Sequence, residues 1–388
     1  MTHNGQRADQ FCAILSNVAG LSGSSCSCRD ELVGLLRNCS PAGDRGSLLS
    51  VVIPAFNSSS TIEATLQSVL ANSVHVQLEV IVVDDGSLDS TAEIAEAILQ
   101  SYSGRYIIAT TINHGLAAAR NLGVDLSKGR YISFVDSDDV VAPSSYQKLV
   151  SLGDTWDCDV VFGSSFVFSH DGGYLHQFYD EWVWNTVLGG NRFAVVSPFA
   201  SPIVFAAEPS VCTRLWRTSF LRENSLRFPE GRLFEDCAIT LKSLALSKQI
   251  GVLNEPFYYY RTGRKSSITS YRGSRRLDVL TTLTELISSE FPSLLTAEMG
   301  AYSLLSIQRV AFWGYQMIQP EYRKEYKRRL GELYSLVPPP WVAEAHRLYR
   351  DSDWPSTITN YRLRYGGRIP SLAEVHAVAR RALRRSRK

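Results

Sequence analysis

Apolar residues change their period abruptly along this chain, and the changes mark out its elements. Residues 48–54, Leu-Leu-Ser-Val-Val-Ile-Pro, form a short apolar run with β-branched side chains, closed by proline, as a buried strand would be. Residues 61–70 follow with Ile62, Leu66, Val69 and Leu70 on one helical face. A second apolar run, residues 78–83, ends in Asp84-Asp85-Gly86-Ser87, after which Ser90 or Thr91 is expected to cap a helix carrying Ile94, Ala95, Ile98 and Leu99. A third strand is predicted over 106–110, then a loop with Asn113-His114-Gly115, a helix over 116–126 and a fourth strand over 131–135. Strands alternating with helices of this length predict an α/β fold: a doubly wound, mainly parallel sheet covered on both faces.

The flanking regions read differently. Residues 1–46 are rich in Ser, Gly and Cys, with short helical hints over 11–18 and 31–37, and are expected to be a partly ordered appendage. A hairpin is expected between Val160 and Phe178, from the runs 160–163 and 166–168 and the turn residues His170-Asp171-Gly172-Gly173. Beyond Tyr260 the texture turns helical, with one face from Leu277, Leu280, Leu283, Leu286 and Ile287 and another from Tyr302, Leu305, Arg309, Phe312 and Trp313. Pro338-Pro339-Pro340 divides this region. The expected organisation is an appendage over 1–46, a catalytic α/β domain over 47–272, and a helical C-terminal region with a basic tail over 273–388.

Composition narrows the function classes. A net charge of +2 over 388 residues argues against a general polyanion binder, so no nucleic-acid partner is expected. The charge is uneven: residues 275–388 carry 19 Lys and Arg against 11 Asp and Glu. The run Arg380-Arg381-Ala382-Leu383-Arg384-Arg385-Ser386-Arg387-Lys388 suits either a solvated helix end or attraction to anionic lipid headgroups. The seven cysteines form no framework; Cys12, Cys26, Cys28 and Cys39 lack the paired spacing of a zinc site. An odd count without an export signal fits a cytoplasmic protein, with peripheral contact at the inner membrane face as one use of the basic tail. Residues 193–212, the most apolar stretch, are broken by Pro198, Pro202 and Pro209 and carry Glu208, so they do not make a transmembrane helix.

The chemistry sits where strands end. Tyr131-Ile132-Ser133-Phe134-Val135 runs directly into Asp136-Ser137-Asp138-Asp139, and such a cluster belongs where a strand leaves its sheet, the ligand-binding edge of open α/β folds. Paired Asp oxygens are hard ligands for Mg²⁺ or Mn²⁺, which usually also hold substrate phosphates. Pro54-Ala55-Phe56-Asn57 and Asp84-Asp85-Gly86-Ser87 lie at two further strand ends, and Glu235-Asp236 opens a later helix. Singly, each has an ordinary reading as turn or helix-start chemistry. Together they point to a metal-assisted site for a phosphorylated ligand.

In this order and spacing the chain resembles an inverting family 2 glycosyltransferase with the GT-A fold. The resemblance rests on Val51-Val52-Ile53-Pro54-Ala55-Phe56-Asn57, on Val80-Ile81-Val82-Val83-Asp84-Asp85-Gly86-Ser87 with Asp89-Ser90-Thr91, and on Gly115-Leu116-Ala117-Ala118-Ala119-Arg120-Asn121. Asp136-Ser137-Asp138 stands in the DxD position, Phe234-Glu235-Asp236 matches the later acidic motif, and Tyr258-Tyr259-Tyr260-Arg261 with Ser266-Ser267-Ile268 resembles the closing segment.

The resemblance implies transfer of a sugar from a nucleotide-diphosphate sugar to an acceptor hydroxyl, with inversion. Asp138 and Asp136 would hold Mn²⁺ or Mg²⁺; Pro54, Asn57, Asp85, Arg120 and Asp136 would contact the nucleotide. Asp236 would be the general base, with Glu235 orienting it or the acceptor, and Arg261, Arg264 and Ser267 would cover the diphosphate. UDP is the family's usual nucleotide, although dTDP and GDP fit the same motifs. The acceptor would be a glycan, a lipid-linked saccharide or a small molecule, and the helical region could form a homo-oligomer. His114 suits either a nucleotide contact or a solvated loop; Trp182, Trp184 and Trp216 suit a sugar platform or the core. Synthesis of a surface polysaccharide on a lipid carrier and glycosylation of a small metabolite are the two settings within this chemistry. Outside it, Asp136-Ser137-Asp138-Asp139-Val140 also fits a haloacid-dehalogenase-like phosphotransferase, whose nucleophile follows the fold's first strand; here three predicted strands come earlier. A non-catalytic nucleotide-sugar-binding module is the remaining alternative.

Overall fold

The computed structural model describes residues 35–37, 48–169, 175–178, 180–264 and 268–348. The expected helix over 11–18, the four N-terminal cysteines, the turn 170–173, Ser266-Ser267 and the basic tail lie outside them. The strands are β1 (Leu35–Arg37), β2 (Leu49–Ala55), β3 (Leu78–Asp84), β4 (Arg105–Thr110), β5 (Tyr131–Phe134), β6 (Val140–Val141), β7 (Val160–Ser169), β8 (Leu175–Gln177), β9 (Phe193–Val196), β10 (Arg214–Arg217) and β11 (Ile250–Thr262). Two compact units share them. The first takes the described residues up to His176 with Cys212–Gly231 and Glu255–Thr262; the second takes Gln177–Val211, Arg232–Asn254 and the chain from Gly263.

The first unit is built on a sheet in the order β1–β4–β3–β2–β5–β10–β7–β11–β6. Its heart is parallel: β4, β3, β2 and β5 run the same way. Every residue of β2 and β3 is buried, as a parallel sheet covered on both faces requires. The helices between these strands, Ile62–Leu70, Thr91–Leu99 and Leu116–Leu126, turn the predicted apolar faces inward; Ile62, Leu66, Val69, Ala95 and Leu99 are all buried. The doubly wound α/β expectation holds, with antiparallel strands added on both sides of the parallel core.

Two local expectations are corrected and one is refined. Leu35–Arg37 is not helical; it pairs antiparallel with β4, because the open edge of that strand supplies backbone partners which outweigh a weak helical pattern. The hairpin expected between Val160 and Phe178 is present: residues 160–169 form one continuous strand, and β8 pairs with it. Gly163 does not interrupt it, since the missing side chain leaves room for the Phe257 ring to pack against the strand. Ser90 makes no side-chain cap. Instead the Asp89 carboxylate accepts the Thr91 N–H at 3.1 Å.

The second unit is mainly helical. Asp278–Ser288 buries Leu280, Leu283, Leu286 and Ile287, and Ala297–Met317 buries Leu305, Arg309 and Phe312, so both predicted faces point inward. Helices Arg323–Leu336 and Pro339–Leu348 flank the proline run, which starts the second of them. The proline-broken apolar stretch becomes β9 and a short 3-10 helix, Pro202–Ala206, with Ile203, Val204, Phe205 and Ala206 buried. Arg309 ties this segment down through the Ala206 and Ala207 carbonyls and a 3.0 Å pair with Glu208. No helix among the described residues is long and apolar enough to cross a membrane.

Close contact between the Leu116–Leu126 helix and β2 depends on Gly123, where a Cβ would collide with the Val52 side chain. Gly123→Val should therefore cost about 1–3 kcal/mol through overpacking. A urea unfolding midpoint equal to that of the parent protein would show that this contact is not close-packed.

Candidate active site

The chain leaves β2 to form β3 and β4 on one side, then returns to place β5 on the other. The crevice between the carboxyl ends of β2 and β5 is thus the point where strand order reverses, the usual ligand site of an open α/β sheet. Pro54 marks the opening. The β2–β5 pairing ends at Val52↔Phe134, with the Val52 carbonyl accepting the Val135 N–H. Residues of β2 face β5 and β3 alternately, so Pro54, two residues on, points its hydrogen-free nitrogen to the side where pairing has stopped. A proline in a central strand is tolerated only in such a place.

The acidic loop crosses this opening and is held from two directions. From the helix beginning at Ile62, the Thr61 and Thr65 hydroxyls donate to the Ser137 and Asp139 carbonyls at 2.9 and 2.7 Å, and the Ser58 and Ser137 hydroxyls lie 2.7 Å apart. From β11, the Tyr258 hydroxyl donates to Asp139 Oδ2, and the Arg261 N–H donates to Asp139 Oδ1 at 2.6 Å. Arg261 Nε donates to the Asp138 carbonyl at 2.6 Å, and its guanidinium stacks 4.7 Å from the Phe168 ring centre. Asp139 is thus a buried strut, whereas Asp136 and Asp138 are only half-buried. Burial pushes the Asp139 carboxyl well above the usual carboxylate range, and the Asp138 and Asp136 charges add to the rise.

Asp136 meets Arg120. The guanidinium, 2% exposed, reaches from the Leu116–Leu126 helix and donates to Asp136 Oδ1 at 2.7 Å, with the Phe228 ring 5.4 Å away. The helix start is fixed in turn by Asp85, whose two oxygens accept the backbone N–H groups of His114 and Gly115 at 2.8 and 2.7 Å. The His114 side chain is exposed. Asn57, at a left-handed φ of 49°, locks the end of β2 to the next loop: its N–H donates to Ser87 Oγ and its Oδ1 accepts the Leu88 N–H, each at 2.9 Å. Gly86, at φ 77°, lets the chain pass beside the Asn113 backbone nitrogen, which a Cβ would approach to 2.8 Å.

Pro54, Asn57, Asp85, Arg120, Asp136 and Asp138 therefore gather at one end of the first unit's sheet. Glu235 and Asp236 belong to the second unit. There Asp236 opens the helix Asp236–Leu246, Glu235 is buried just before it, and Phe234 carries a left-handed φ of 67°. Such a backbone costs a bulky residue about 1–3 kcal/mol. Arg264 also lies in the second unit, after Gly263 at φ 88°. Trp216 is fully buried in β10 and cannot face a sugar; Trp182 and Trp184 are partly exposed.

Sequence reasoning missed Ser58, Thr61 and Thr65 as supports of the acidic loop. Their spacing on one side of a helix start is a usable signal once the loop's partner is known.

No group of three or more His, Cys, Asp or Glu side chains is arranged to hold a metal ion among the described residues. The residues present still fit one. Mg²⁺ and Mn²⁺ keep several waters and need only one or two carboxylates besides substrate phosphates. Asp136 and Asp138 are such a pair, both half-buried on one braced loop.

Residues 50–212 match the model of glycosyl transferase family 2. Over that stretch, a little under half of its length, the chain is similar to family 2 glycosyltransferases. It is similar to the glycosyltransferase GlyG of Streptococcus pneumoniae serotype 4, with 28% identity over 62% of this chain and 80% of that protein. It also resembles the poly(ribitol-phosphate) beta-N-acetylglucosaminyltransferase TarS of Staphylococcus aureus, with 28% identity over 56% of this chain but only 36% of TarS. The crystal structure of S. aureus TarS 1–349 in complex with UDP-GlcNAc has the same fold, with a TM-score of 0.66 at 20% identity, covering 87% of this chain and 92% of that one. The GT-A fold expected from that similarity is therefore present, with helices in the C-terminal region.

The Asp85 bracket can be tested alone. Asp85→Asn keeps the size of the side chain but turns an amide NH₂ toward one of two N–H donors. It should destabilise the first unit by about 1–3 kcal/mol, read from denaturant unfolding, with faster amide exchange at His114 and Gly115. Unchanged exchange there would remove the bracket.

Proposed function

We propose that this chain transfers a sugar from a nucleotide-diphosphate sugar to an acceptor hydroxyl with inversion, in the synthesis of a cell-surface glycan. The observation that carries the proposal is the clamped acidic loop at the strand-reversal crevice, set within the stretch similar to family 2 glycosyltransferases. The TarS structure with UDP-GlcNAc supports a UDP-sugar as donor, and the poly(ribitol-phosphate) named for that relative supports a polymeric surface acceptor.

The chain's own groups divide the work. Asp85, Asn57 and the end of β2 shape the loop that would receive the nucleotide, and Arg120 steadies Asp136 beside it. A divalent cation held by Asp138 and Asp136 would neutralise the departing nucleoside diphosphate. Arg261, fixed on the Asp138 carbonyl, would add positive charge for the diphosphate. The attacking hydroxyl must lose a proton, and Asp236 takes that role because it stands in the family's base position at the head of a helix; Glu235 would orient it. A single displacement with a single base inverts the anomeric carbon. The basic tail over 380–388 would favour an anionic membrane surface, where lipid-linked acceptors reside.

A thermal-shift screen of UDP, dTDP, GDP and their sugars, with and without Mn²⁺, tests the donor. A ligand at 100 times its Kd should stabilise the folded state by about 2.7 kcal/mol, and Asp138→Ala should abolish the metal-dependent part of the shift. A shift that survives this substitution would remove Asp138 as a ligand.

Asp236→Asn separates binding from chemistry. It should leave donor stabilisation intact while transfer falls by roughly 10²–10⁴-fold, the usual contribution of a general base. Full transfer activity in this variant would rule out the base assignment.

A further inference from the structure

Arg276 is one of the buried charged groups that the proposed chemistry leaves unused. It lies in the second unit and is fully buried. Its Nε donates to the Tyr271 carbonyl at 2.7 Å and its Nη2 to the Thr269 carbonyl at 2.8 Å, while Nη1 has no hydrogen-bond partner. Burial pulls its pKa down to about 10, so it stays charged at neutral pH. A buried cation compensated by carbonyls alone is costly, and a hydrocarbon side chain would fill the same space without that cost. What the guanidinium adds is a flat cationic face and a two-pronged donor.

That face is used on two rings. The guanidinium carbon lies 4.4 Å from the centre of Trp313 and 5.1 Å from that of Phe234, and the rings meet edge-on at 5.2 Å. Phe234 holds the left-handed backbone two residues before Asp236. Its neighbour Leu233 is fixed as well, its N–H donating to Asp278 Oδ2 at 3.2 Å. A residue of this size keeps such a conformation only where its surroundings enforce it. Here the enforcing contacts are Arg276 and Trp313.

We propose that Arg276 is a positioning residue for Glu235 and Asp236: stacked on Phe234, it holds the strained turn that sets the direction of both acids at the head of their helix. The inference rests on the reading of Asp236 as the base. Through Tyr271 and Thr269 the same guanidinium joins that turn to the segment following the Arg261–Arg264 stretch.

The test uses the full chain with UDP-GlcNAc and Mn²⁺, with water as the nucleophile that takes the sugar and gives up its proton, reading kcat for this hydrolytic UDP release and the Kd of UDP by calorimetry. Arg276→Met should lower kcat by about 10- to 100-fold, the range expected when a reacting group is misplaced by about an ångström, with the Kd of UDP within about twofold. Phe234→Gly adopts the positive φ freely and should retain a higher kcat than Phe234→Ala, which loses the same ring but not the strain. This pair decides the matter if Arg276→Met does not fold. Parent-like kcat in folded Arg276→Met, or Phe234→Ala matching or exceeding Phe234→Gly, overturns the proposal. Parent-like kcat in Asp236→Asn instead overturns the base assignment on which it rests, and a slow Asp236→Asn beside a fast Arg276→Met overturns the positioning role alone.

Discussion

The parting of β2 from β5 is the constraint on which the first unit's chemistry depends. Parallel strands exchange backbone hydrogen bonds until one of them can no longer contribute, and at Pro54 the donor is absent. Beyond Val52 and Phe134 the two chains are free to diverge, and the acidic loop occupies the gap. Had β2 kept a donor here and continued its ladder, Asp136 would have become a ladder residue rather than the first residue of a loop.

A loop carrying three carboxylates would repel itself apart unless something fixed it. The structure fixes its backbone and offsets part of its charge, with the Arg120 guanidinium on Asp136. Hydroxyls of Ser58, Thr61 and Thr65 hold one side, and the Arg261 amide and Tyr258 hydroxyl hold the buried Asp139. Asp139 accepts the cost of burial, and Asp136 and Asp138 remain toward the solvent side. Such an arrangement keeps negative potential available for a cation while fixing where it is presented. The Arg120–Asp136 pair and the Asp85 bracket extend the same logic to the helix behind the loop, so the end of each parallel strand from β2 to β5 contributes to one braced surface.

The second unit follows a different economy. Its helices bury long apolar faces, and two arginines, Arg276 and Arg309, are buried with them. Each is used as a fork onto main-chain carbonyls. Arg309 secures the proline-broken segment before β10, with Glu208 as counter-charge. Arg276 has rings in place of an acid, and those rings surround a strained turn. Both are main-chain staples in a region whose connections are too irregular to satisfy their own carbonyls.

Much of this was legible in the residues alone, because strand and helix periodicities are local properties and the strand-end acids are local in sequence. The parallel core, its helix faces, the two apolar faces of the C-terminal helices and the gathering of Pro54, Asn57, Asp85, Arg120, Asp136 and Asp138 follow from short-range pattern joined to the family's motif order. Other features required partners distant in the chain. The edge pairing of Leu35–Arg37 replaced a helical hint because β4 offered open hydrogen bonds; β7 ran through Gly163 because Phe257 needed the space; and Trp216 entered the core because β10 lies between two strands. Arg276 looks in sequence like any solvated cation. Only tertiary packing, which brings carbonyls and aromatic rings around a side chain whose own sequence neighbours say nothing of them, decided that it would be buried and what it would hold.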